Sequence, residues 1–162
     1  MSEAPVHTWP NMPFDIERFH EKFGLEYMGN PRELPVDIAL FRLGFMIEEL
    51  AEYAISSGFT NIARRLNDLH EEIKVKARWT CNQNEGGRNI ETQFDSLIDL
   101  IYVALGTNHL HGFEFNEGWR RVHEANMAKE RVDVPGNSKR NSSFDVIKPK
   151  GWKPADLSDL VK

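Results

Sequence analysis

Apolar positions along the chain recur at helical spacing, and the apolar/polar alternation that marks strands is scarce. The pattern predicts an all-α fold, a bundle of about five helices. The first follows Pro13 and runs through DIERFHEKFG, with Asp15 as its cap and Gly24 as its stop. The Pro- and Gly-bearing turn MGNPRELP leads to a second helix over about Val36 to Ser57, ended by Gly58. A third covers about Asn61 to Trp79, charged on its outer face, before the polar, glycine-bearing loop TCNQNEGGRN. The fourth spans about Ile90 to His111 and stops at Gly112, and the fifth spans about Asn116 to Arg131. From Asp133 to Lys162 no period remains, which predicts an extended C-terminal arm that lays Phe144 and Trp152 on the bundle and closes in a short turn.

Composition narrows the class without changing this outline. A chain of 162 residues fits one domain, here 1–162, with 1–35 as an N-terminal extension to the acidic helices. Hydrophobic residues make up 40%, and the net charge of −5 lacks the basic excess that favours binding to a phosphate backbone, so nucleic acid is not an expected partner. The N-terminal stretch MSEAPVHTWPNMPF has neither a basic nor an apolar targeting region, and no apolar run approaches the roughly 18 residues of a membrane span. A cytoplasmic location is expected. The lone Cys81 can form no internal disulfide, which suits a reducing compartment.

Acids set among apolar residues are what the pattern alone does not explain. At about 100° per residue, with Glu48 at zero, Phe41 falls near 20°, Glu52 near 40°, Phe45 near 60° and Gly44 near −40°. Glu48 and Glu52 thus sit within an apolar stripe, and Glu49, near 100°, lies at its edge. On the fourth helix, with Asp99 at zero, Asp95 falls near −40°, Val103 near 40° and Tyr102 near −60°. Burying an uncompensated carboxylate is costly, and like charges held close resist joint ionisation. Two helices that each turn acids inward therefore call for a shared cation. Five carboxylates without cysteine or histidine form a hard, all-oxygen set that suits Mg²⁺ or Mn²⁺ rather than zinc, with two or three ions balancing the charge. Magnesium keeps open positions for phosphate oxygens, so a nucleotide polyphosphate is the natural substrate class.

The EExxE string Glu48-Glu49-Leu50-Ala51-Glu52, followed by an acidic pair ending in Asp99, resembles the all-α nucleoside triphosphate pyrophosphohydrolases of the MazG and phosphoribosyl-ATP pyrophosphohydrolase superfamily. FHEKFG, DLIYVALGTNHLHGF, GWRRVHEANMAKER and FDVIKPKGWKPADL extend the resemblance to a phage and bacterial branch that includes the MazZ enzymes. One position departs from it. The usual second motif is ExxD, but Ser96 stands three before Asp99 and the acid appears one residue earlier, as Asp95. Positions i and i+4 share a helix face as i and i+3 do, so Asp95 can take that glutamate's place.

The resemblance implies hydrolysis at the α-phosphate to a nucleoside monophosphate and pyrophosphate, with Glu49, Glu52, Asp95 and Asp99 as metal ligands. Glu48 would orient or deprotonate the attacking water, or bind a second ion. Asn126 and Lys129 match the asparagine and lysine that reach the metal site and phosphates in relatives, and with Asn126 at zero Lys129 falls near −60° and His123 near 60° on a continuing helix. His123 reads as a packing or hydrogen-bonding residue. The resemblance also implies assembly of two or four copies, and a guanine nucleotide, dGTP or GTP, as substrate. A general nucleotide-pool cleaner is the alternative. Trp79, beside the polar loop, is a candidate to stack on a purine while Asn82 reads its edge. Two other classes fit poorly or less well. A carboxylate-bridged di-iron bundle needs two Glu-x-x-His motifs and the chain has one, Glu17 to His20. A helical interaction module would have to pair the inward acids with a partner's basic residues.

Overall fold

The computed structural model describes residues 10–25, 29–79, 89–132 and 145–161, with the side chains of 76–79 outside that set. Its elements in chain order are α1 (Met12–Lys22), α2 (Val36–Ser56), α3 (Thr60–Trp79), α4 (Ile90–His111), α5 (Phe115–Met127) and two short strands, β1 (Glu130–Arg131) and β2 (Val146–Ile147). The fold is all-α. By its contacts the chain divides into two compact units, Pro31–Asp95 and Met1–Asn30 with Ser96–Lys162.

Helix ends follow local rules. Gly24, Gly58 and Gly112 each have positive φ just past a helix. At all three the next residue donates its N–H to the carbonyl five residues back, Leu25 to His20, Phe59 to Ala54 and Phe113 to Asn108, closing the turn that only glycine enters without strain. The N-terminus of α1 differs from expectation. Asn11, not Asp15, is the cap, its side chain accepting from the Phe14 N–H, because Pro13 fits inside the first turn where its missing donor is no loss. Asn89 caps α4 in the same way, accepting from the Thr92 N–H at 3.0 Å.

In the unit Pro31–Asp95, α2 and α3 form a helical hairpin. Gly44, Ile47, Glu48, Ala51 and Ala54 of α2 are buried, as are Ala63, His70 and Ile73 of α3. The small residues bring the helices close: a Cβ on Gly44 would meet the His70 ring at 3.3 Å. The buried face is not the one expected. On the same wheel its members fall near 0°, −40°, −60°, −100° and −120°, so its centre is rotated by about 60° from Glu48, and Glu52, near 40°, is exposed. The reason is that α2 has a further apolar stripe. Leu43, Met46, Leu50 and Tyr53, spaced three, four and three residues apart, remain exposed.

In the other unit α1 packs on α5. The Trp119 indole N–H donates to Asp15 at 2.8 Å, and His123 Nε2 lies 3.7 Å from the same carboxylate. Helix α5 ends four residues earlier than expected. Lys22 Nζ donates to the carbonyls of Met127 and Lys129, and Glu130 and Arg131 leave the helix to pair antiparallel with Ile147 and Val146. Val132 and Asp145 are buried beside this two-stranded ribbon, which the helical pattern concealed. Trp152 then donates its indole N–H to the Ala125 carbonyl at 2.7 Å. Phe144 lies outside the described residues. Helix α4 buries no residue, although half of its sequence is apolar. None of the described helices is long and apolar enough to cross a membrane.

Candidate active site

The three glutamates of α2 do not share one environment. Glu48 is 8% exposed, the only buried carboxylate of the candidate set, while Glu49 and Glu52 are exposed. Packing explains the difference: Glu48 lies one turn after Gly44, on the margin of the α3-facing side, and the other two lie beyond it. Across that seam His70 is 7% exposed. Its position was readable only as one of a set, since Ala63, Leu66, His70 and Ile73 recur at helical spacing and a lone histidine there passes for a core residue.

On α4, Asp95 and Asp99 are both exposed and stand one turn apart. Among the described residues no group of three or more His, Cys, Asp and Glu side chains is placed to hold a metal ion. What each helix does supply is a local pair or triplet of carboxylates. Oxygen donors alone are the chemistry that hard divalent ions take.

Asn126 is half-buried in the last turn of α5. Lys129 lies past the end of that helix, so it does not occupy the helical position first inferred; its ammonium instead sits 5.7 Å from the centre of the Trp152 ring. Trp79 closes α3, but its side chain, like the loop with Cys81 and Asn82, is outside the described residues.

Charge also fastens the C-terminal segment to α5. Arg121 makes paired contacts to Asp159 at 2.6 and 2.9 Å and donates to the Asp156 carbonyl at 2.7 Å. Glu117 accepts from Arg120 and Arg121, and these hydrogen bonds hold its carboxyl down to about 2. The Arg121 contact holds the Asp159 carboxyl below its usual value as well. Both groups are depressed, so their contribution is present above the ordinary carboxylate range and is lost as pH falls through the folded values. Tryptophan emission should therefore report loosening of the segment from α5 as pH falls below the ordinary carboxylate range, and Asp159→Asn should abolish that transition. An emission unchanged down to pH 2 would show that the clasp does not hold the segment.

The family model for phosphoribosyl-ATP pyrophosphohydrolase matches residues 16–126. That span contains Glu48, Glu49, Glu52, Asp95, Asp99 and Asn126 and ends short of Lys129. No curated protein and no solved structure matches the chain.

Proposed function

Because the chain belongs to the phosphoribosyl-ATP pyrophosphohydrolase family, within the MazG-like superfamily of all-α pyrophosphohydrolases, we propose that it hydrolyses nucleoside triphosphates between the α- and β-phosphates. The products are a nucleoside monophosphate and pyrophosphate. The observation that carries this reading is the family match together with the EExxE string and the Asp95/Asp99 pair inside the matched span. The donor set fits Mg²⁺ or Mn²⁺, since it is made of carboxylates alone; Glu49, Glu52, Asp95 and Asp99 would hold two or three ions, with Glu48 available to one of them. Ions held there supply positive charge for the phosphoryl oxygens and make the attacking water more acidic.

The chain's own residues do the positioning. Glu48, kept in place by packing in the α2–α3 seam, orients the attacking water and accepts its proton. Asn126 and Lys129, at the end of α5 and just past it, bind the phosphates, and a protein nucleophile is not required. A second copy of the chain completes the bundle, at least as a homodimer. Two exposed apolar surfaces support this: α4, with Tyr102 77% and Leu110 88% exposed, and the α2 stripe at heptad spacing.

Guanine is the preferred base, by the resemblance of the NMAK run and the C-terminal motifs to the MazZ branch. The test is a panel of nucleoside triphosphates, with phosphoribosyl-ATP included as the family's namesake substrate, in Mg²⁺ or Mn²⁺, with products separated by chromatography. Monophosphate and pyrophosphate are expected; diphosphate and orthophosphate as main products would overturn the assignment. Among dGTP, dATP, dCTP and dUTP the first should have the highest kcat/KM. A pyrimidine preferred tenfold, about 1.4 kcal/mol in transition-state binding, would overturn the guanine preference and leave the bond cleaved unchanged.

A further inference from the structure

The ribbon register places a second lysine beside the first. Glu130 pairs with Ile147 and Arg131 with Val146, so the next step outward sets Lys129 opposite Lys148. Residues at opposed positions project from one face of a ribbon, and like charges there repel. Both ammonium groups nonetheless converge on one ring: Lys148 Nζ lies 4.7 Å and Lys129 Nζ 5.7 Å from the centre of the Trp152 indole. That ring is fixed by its hydrogen bond to the Ala125 carbonyl. The neighbouring cations have other work, Lys22 donating to the Met127 carbonyl and Arg131 to that of Phe23. No carboxylate among the described residues pairs with Lys148, which is exposed.

We propose that Lys148 and Lys129, at opposed ribbon positions and both within reach of the Trp152 ring, form a two-cation clamp for the pyrophosphate group of the substrate and of the product. The electron-rich ring eases the approach of two positive charges to each other. A pyrophosphate, with several negative oxygens on two linked phosphorus atoms, spans two ammonium groups as a single carboxylate would not. This rests on the pyrophosphohydrolase reading and extends it, because Lys148 lies beyond the residues that the family model matches.

The test uses the full chain and inorganic pyrophosphate as the probe, by calorimetry without divalent metal, alongside steady-state kinetics on the preferred triphosphate. Lys148→Ala should weaken pyrophosphate binding about tenfold and raise KM by a similar factor, moving kcat far less, whereas Lys148→Arg should restore most of both. Trp152→Phe keeps a ring face and should fall between the two. Pyrophosphate binding equal in wild type and Lys148→Ala overturns the clamp, even if the chain hydrolyses triphosphates as proposed. Lys148-dependent pyrophosphate binding in a chain that hydrolyses no triphosphate upholds the clamp and sinks the pyrophosphohydrolase reading instead.

Discussion

Replacing Asp99 by Asn should reduce turnover by at least about a thousandfold, roughly 4 kcal/mol of transition-state stabilisation, while the metal-free protein melts where the wild type does. The two halves of this expectation have separate causes. Asp99 is exposed on α4, and exchanging an exposed carboxylate for its neutral isostere changes stability by no more than about 0.5 kcal/mol. As a ligand, however, its charge is what holds the ion against competing water. Wild type should gain thermal stability from Mn²⁺, by about 2.7 kcal/mol at a hundred times the dissociation constant, and Asp99→Asn should lose most of that gain. Glu52→Gln should behave alike. A variant that loses activity only in step with unfolding, and regains it on cooling, would remove Asp99 from the site.

The contrast between exposed Asp99 and buried Glu48 shows how far the sequence could be read. The positions of the helices were legible because their stops are local: a glycine past the last turn closes the same hydrogen bonds wherever it occurs, and Gly24, Gly58 and Gly112 all do so. The face that α2 buries was not legible. Phe41 and Phe45 suggested one stripe, Leu43, Met46, Leu50 and Tyr53 lie on another, and α3 packs on a third made largely of small residues. Periodicity finds apolar faces but does not rank them, and the close approach permitted by Gly44, Ala51, Ala54 and Ala63 decided between them. That choice buried Glu48 and left Glu52 outside. The end of α5 failed for a related reason, since the run through Arg131 is helical in propensity and only the distant partners Val146 and Ile147 draw Glu130 and Arg131 into a ribbon. The type of donor in the candidate site could be read from composition within each helix, but convergence is a property of packing and, on our proposal, of a second chain.

That second chain yields the other large effect. In dilute solution the wild type should sediment or scatter light at twice the 18.7 kDa of one chain or more, and Ile101→Glu or Met46→Glu should bring it to a single chain. Both residues are exposed, 52% and 37%, so neither substitution disturbs the α2–α3 seam, and helical circular dichroism should be retained. In a symmetric dimer each change is felt twice. Losing the burial of an apolar side chain, about 2 kcal/mol at each of two positions, weakens association by roughly a thousandfold before the burial of a new charge is considered. A helix that exposes as many large apolar residues as α4 does is stable in water only when covered, which is why those residues, and not the acids alone, point to assembly. If catalysis needs the assembled bundle, activity should fall with the oligomer and return as protein concentration is raised, following the same mass-action curve in both variants. A wild type that remains a single chain at micromolar concentration yet turns over triphosphate would show that the carboxylates of one copy suffice.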